Sequence, residues 1–247
     1  MTKKNLIIVH SFPTNSILLK GLIDFLEDFF NVYFIDLPGF NTTISPLEKI
    51  NLNNYSEYIE TQIKQLNLKN YYLSGISFGF LVANNCKITP NCKGIIAMEP
   101  FINTNYMSET FLEKTFLKLL LFLITNLKLH YKFYNTKIFK KLLIKKNPEE
   151  RINIMLETID AFTFFETAKI ILKHNSELKF HNKPYILVIN DNDTEIDSKK
   201  IINLFENLEK KLLIKTTSEH YPTEISKKYF EKNINSNNIK KILNFLK

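Results

Sequence analysis

The chain has 247 residues, 45% of them hydrophobic and 23% charged, a globular balance that excludes a disordered or collagen-like polypeptide. Its formal net charge of +8 would suit nucleic acid or anionic lipid, but Lys, Asn and Ile crowd the chain and Arg151 is its only arginine. That composition follows AT-rich coding. Nucleic-acid readers lean on arginine for bidentate contacts, so no nucleic-acid partner is expected.

Lys3 and Lys4 precede only a short apolar run, Leu6 to Val9, too short for a signal peptide and without a small-residue cleavage site. "NLIIVH" (Asn5–His10) therefore reads as a first, buried strand. Leu18, Leu19, Leu22, Ile23, Leu26 and Phe29 or Phe30 then recur at helical spacing. "VYFIDLPGF" (Val32–Phe40) reads as a second strand, stopped by Pro38 and Gly39. Tyr55, Tyr58, Ile59, Ile63 and Leu66 mark a helix. "YYLSGI" is a third strand, with a helix from Phe78 onward, and "KGIIAMEP" (Lys93–Pro100) a fourth. The alternation resumes with a strand at Lys183–Asn190, a helix at Ser198–Leu208 and a strand at Lys211–Ser218. A C-terminal helix follows, with Ile239, Ile242, Leu243 and Leu246 on its apolar face. Strands apolar on both faces, alternating with helices, predict a doubly wound, mostly parallel α/β sheet.

Residues 102–180 show no strand pattern. They carry long Leu/Phe/Ile-rich helical stretches such as "TFLKLLLFLITNLKLHYKFY" and read as a helical insertion into a core formed by 1–101 and 181–247. No charge-free apolar stretch reaches the roughly 18 residues of a spanning helix. Cys86 and Cys92 fit neither a disulfide framework nor a zinc site; two buried thiols in a reducing, cytoplasmic setting are expected.

Gly75 and Gly79 flank Ser77 in "GISFG", a G-x-S-x-G at the junction of a strand and a helix. Small residues two positions either side let strand and helix approach while the turn lifts the serine hydroxyl above the sheet. The following helix N-terminus favours developing negative charge. A serine needs a histidine base, oriented in turn by a carboxylate. His220, in "TTSEHYPTE", follows the last strand. His10 belongs to the turn after the first strand, and His130, His174 and His181 read as packing or surface residues. Asp191, Asp193, Glu195 and Asp197 follow the fifth strand. Asp193 is the preferred acid, and Glu99, ending the fourth strand, is the runner-up. Asp36 reads as a brace for the "DLPGF" turn.

The sequence resembles an α/β-hydrolase with a helical cap. "VHSFPTNS" resembles the family's oxyanion turn, "IDLPGF" the turn that follows, "LSGISFGF" its nucleophile elbow, "INDNDTEI" its acid loop and "SEHYP" its histidine loop. The resemblance implies that the backbone N–H groups of Phe12 and Phe78 form an oxyanion hole, and it aligns Asp193, not Asp191, with the catalytic acid. Ser11 and Phe80 stand where the family usually has glycine.

A serine hydrolase acting on a carboxylic ester is the expected function, with Ser77 the nucleophile, His220 the base and Asp193 the acid. No metal or organic cofactor is expected. Acyl transfer, thioester, peptide or carbon–carbon bond cleavage, and a non-catalytic binding role on the same fold are the alternatives. The substrate is a small molecule with a hydrophobic acyl or aromatic part, and the oligomeric state is left open. From Lys114 to Lys146 the insertion has many lysines and no Asp or Glu. It reads as a cap whose apolar side covers the site and whose lysines face water; the alternative is a lid that meets acyl chains or a membrane surface.

Overall fold

The computed structural model describes residues 2–144, 147–190, 193–217, 220, 222 and 224–246. In chain order come β1 (Lys4–Val9), α1 (Lys20–Glu27), β2 (Phe30–Ile35), α2 (Leu52–Leu66), β3 (Tyr71–Ile76), α3 (Phe78–Asn85) and β4 (Cys92–Met98). A helical insertion follows: a 3-10 turn at Thr104–Tyr106, then α4 (Phe111–Asn126), α5 (His130–Tyr134), α6 (Lys137–Ile144), α7 (Glu149–Thr158) and α8 (Ala161–Lys173). The core resumes with β5 (Tyr185–Asn190), α9 (Ser198–Phe205), β6 (Lys211–Thr216), α10 (Lys227–Ile234) and α11 (Ser236–Phe245).

The six strands form one sheet in the order β2-β1-β3-β4-β5-β6, with every pairing parallel. Alternating residues serve opposite faces. Ile7, Val9, Leu73 and Leu187 pack with Tyr55 and Ile59 of α2, Val82 of α3 and Phe205 of α9. Leu6, Ile8, Ile96 and Val188 pack with Phe25 of α1, Phe230 of α10 and Ile242 of α11. A sheet covered on both faces needs apolar residues at every strand position, which explains the unbroken runs in the sequence. Each fully buried large side chain contributes about 1.5–3 kcal/mol to this packing. All the strands point the same way, so their C-terminal ends share one edge. The chain turns outward in opposite directions from β1 and β3, which makes the crevice between them the natural place for a ligand.

The largest departures from the sequence pattern are the end of β2 and the presence of α10. β2 stops at Ile35, because Asp36–Phe40 turns away: Gly39 adopts φ +79° and its N–H donates to Ile44 O at 3.1 Å. α10 carries only Phe230 and Ile234 as buried residues among lysine and asparagine, too sparse a pattern to read from sequence.

The insertion is built in two layers. α7 and α8 lie against the core. Asn15 Nδ2 donates to Thr158 Oγ1 at 2.7 Å, Asp160 N–H to Gly39 O at 2.8 Å, and the Tyr55 and Thr167 hydroxyls meet at 2.8 Å. α4 and α5 pack onto α8 from outside, and Tyr131 OH of α5 donates to Asp160 Oδ2 at 2.7 Å. α4 begins with a capping box: Thr110 Oγ1 accepts from Glu113 N–H while the Glu113 carboxylate accepts from Thr110 N–H at 2.8 Å. Among the described residues no helix is long and apolar enough to cross a membrane. Cys86 and Cys92 are free, buried thiols; burial pushes Cys86 up to about 12 and raises Cys92 as well, so both stay protonated.

Candidate active site

Ser77 sits between the end of β3 and the start of α3 with φ +48° and ψ −117°, a conformation that non-glycine residues avoid. The turn is held by Ser77 N–H donating to Met98 O at 2.9 Å and Phe80 N–H donating to Ser77 O at 2.9 Å. The flanking glycines allow it. A Cβ on Gly75 would lie 2.3 Å from Phe80 Cα, and one on Gly79 would lie 2.2 Å from His10 O and 2.4 Å from Val9 O. In both cases the obstacle is backbone, which has no rotamer to yield. Phe80 turns its fully buried ring toward α9, 6.2 Å from the ring of Phe205. The bulk at this position fills the space beneath α3 and leaves the glycine contact intact.

His220 lies beside the serine, with Nε2 3.2 Å from Ser77 Oγ and Nδ1 2.8 Å from Asp193 Oδ2. The remaining oxygen of Asp193 accepts from the N–H groups of Glu195 at 2.8 Å and Ile196 at 3.1 Å, which fixes the carboxylate. The Asp193 side chain is wholly buried and that of His220 is 5% exposed. Burial pulls the His220 pKa down, but the Asp193 hydrogen bond and charge, with the charges of Glu99 and Glu195, outweigh it, and the net shift is upward.

Glu99 follows β4 at φ +44°, and its Oε2 is 3.9 Å from His220 Nδ1. It stands behind Asp193 rather than in its place. Glu99, Asp193 and His220 bring ligand atoms within 4.8 Å of one another, the one group among the described residues that could hold a metal; there Asp193 and His220 already bond each other. Asp197 caps α9, accepting from Lys200 N–H at 3.1 Å, and is thereby removed from the site. Asp191 lies outside the described residues.

The turn after β1 forms the opposite wall. His10 is fully buried, its Nδ1 2.8 Å from Ser11 O and its Nε2 2.9 Å from the Leu37 N–H that donates to it. Accepting at Nε2 requires the neutral ring with its proton on Nδ1, and burial lowers its pKa accordingly. Ser11 O also accepts from Thr14 N–H at 3.0 Å, which closes the turn that carries Phe12. Phe78 is the first residue of α3, where a helix leaves its N–H without an intrahelical partner. Asp36 accepts from Ser16 N–H at 2.7 Å and Asn41 Nδ2 at 2.8 Å, bracing the two turns against each other.

Phe12 and Pro13 open into a recess roofed by Leu142, Met155 and Phe164 of the insertion and reaching Glu195. The Phe12 ring meets Phe164 at 4.9 Å. Sequence reasoning passed over Arg151, which sits in the same recess and donates from Nη1 to Pro222 O at 3.0 Å, tying α7 to the segment that carries His220. Its being the only arginine was the available signal. His130 packs beside the rings of Phe162 and Phe165, and His181 Nε2 bonds Asn84 O at 2.8 Å, both away from Ser77.

Comparison with known proteins places this geometry. A family model described as alpha/beta hydrolase fold matches residues 4–224. A thermophilic esterase from Thermogutta terrifontis superposes with a TM-score of 0.71 at 14% identity, covering 99% of this chain and 91% of that one. An epoxide hydrolase from Bacillus megaterium gives 0.66 at 13%, covering 99% and 94%. A hydrolase from Pseudomonas aeruginosa gives 0.67 at 14%, covering 99% and 90%. No curated protein matches the chain. Identities this low speak to the fold and leave the reaction to the site. With the family match running from β1 past His220, the chain belongs to the alpha/beta hydrolase fold family.

Proposed function

We propose that this hydrolase cleaves carboxylic esters with a hydrophobic acyl or aromatic part, through an acyl-enzyme on Ser77. The observation that carries the reading is the continuous chain Asp193–His220–Ser77, at 2.8 and 3.2 Å, ending on a serine at a strained turn. His220 Nε2 takes the Ser77 proton as Oγ attacks the ester carbonyl. The Phe12 and Phe78 N–H groups hold the oxyanion, and the α3 N-terminus adds its dipole. As the intermediate collapses, the carbon–oxygen bond to the leaving alcohol breaks, and His220 donates the proton to that oxygen. Water then attacks the acyl-enzyme, His220 takes its proton and returns it to Ser77 Oγ, and the carboxylic acid leaves. Asp193 holds the ring in the tautomer this requires and stabilises the imidazolium. The apolar roof over Phe12 supports a hydrophobic acyl or aromatic group.

A fluorophosphonate probe tests the nucleophile. Labelling of the wild type and none of Ser77→Ala is expected, with ester turnover in the variant lower by at least about 10⁴-fold. Folded wild-type protein that neither labels nor hydrolyses any member of a chain-length series of chromogenic esters would sink the reading.

A further inference from the structure

α4 has two apolar faces, and the fold uses only one. Leu121, Ile124 and Thr125 are buried on the side that packs on α8. On the opposite side Leu112, Phe116, Leu119 and Leu123 recur at i, i+4, i+7 and i+11, so they form a single stripe. They are 78%, 66%, 57% and 45% exposed. Single exposed hydrophobes are ordinary, but a contiguous stripe of this length on a helix marks an interaction surface.

Charge identifies what the stripe meets. Nine lysines and no Asp or Glu lie between Lys114 and Lys146. Lys118, Lys128 and Lys132 are exposed on α4, on the link beyond it and on α5. Acids beside this layer are already engaged: Glu113 in the α4 capping box, Glu149 with Lys140 at 2.8 Å, Asp160 with Tyr131, and Glu166 with Lys169 at 3.1 Å. Two copies meeting through α4 would bring two lysine-rich surfaces together, which opposes association. An anionic bilayer surface matches both features, taking the leucine and phenylalanine side chains at the acyl boundary and the ammonium groups among its headgroups. We propose that the outer face of α4, with its flanking lysines, docks the protein on an anionic lipid surface. The docking stands apart from the chemistry at Ser77, because none of these side chains lines the recess over Phe12.

Co-sedimentation of the full chain with vesicles tests this directly. Phosphatidylcholine vesicles containing phosphatidylglycerol are expected to pull the wild type down, and phosphatidylcholine alone to do so about tenfold less or weaker still, with binding lost as salt rises. Phe116→Glu/Leu119→Glu, whose folding is checked by circular dichroism, is expected to stay in the supernatant, and Lys128→Glu/Lys132→Glu to lose the preference for phosphatidylglycerol. Wild-type protein that ignores both vesicle types overturns the proposal, as does folded Phe116→Glu/Leu119→Glu that binds as the wild type does. A dimer in analytical ultracentrifugation that the α4 substitutions split, without vesicle binding, overturns it in favour of a second copy.

Discussion

At the scale of single residues the site is governed by what surrounds His220. Two carboxylates face its Nδ1, Asp193 at 2.8 Å and Glu99 at 3.9 Å, and both favour the imidazolium. In the role proposed for it as base, His220 must be neutral to accept a proton, so its raised pKa predicts a rate that climbs through a midpoint above the ordinary 6.5 of histidine. Glu99→Gln keeps the shape and removes one negative charge, which lowers the His220 pKa. The ascending limb of kcat/KM should then move toward acid by about half a unit to one unit, with the plateau nearly unchanged. A limb that stays where it was would mean that Glu99 is silent at this site. The opposite balance holds at His10, where complete burial outweighs the nearby charge of Asp36 and leaves the ring neutral and a brace.

At the scale of elements the decisive contact is α3 lying almost on β1. A Cβ at Gly79 would collide with two consecutive carbonyls, of Val9 and His10, and Val9 is paired with both β2 and β3. Gly79→Ala should therefore cost about 3 kcal/mol or more in urea denaturation, far above the typical surface substitution. A change under about 1 kcal/mol would show that α3 can slide. This contact was legible in the sequence because glycine is scarce there, and two of the five glycines bracket one serine. The strands were legible for a similar reason, since burial on both faces leaves an unbroken apolar run. The cap was not. Its five helices share the same Leu, Ile, Lys and Phe, so their limits rest on turns at positions such as Lys128 (φ +52°) that composition does not flag. Which face of α4 points outward was equally hidden, because both faces are apolar. Glu99 was visible as a strand-end acid, but its standing next to Asp193 rather than replacing it depends on the backbone turn at φ +44°.

At the scale of the whole molecule the sheet gathers the C-terminal ends of its six strands at one edge, and the insertion roofs the turn after β1. The two layers of that insertion are held very differently. Asp160, Thr158 and Thr167 tie the inner layer to Gly39, Asn15 and Tyr55 of the core, and a Cβ on Gly39 would lie 2.0 Å from Thr163 Oγ1. α8 is therefore a part of the core in all but chain order, and it should open only when the sheet does. The outer layer rests on α8 largely through rings and aliphatic chains, so its opening should cost much less. Amide deuterium uptake would separate the two: slow exchange in α8, matching β1 and β3, and exchange many-fold faster in α4 and α5. Equal rates in α4 and α8 would mean that the cap unfolds as one unit. With α8 clamped over Phe12, the recess beneath it keeps that wall whether the outer helices are open or closed, so its shape is set by the core and not by the state of the outer layer.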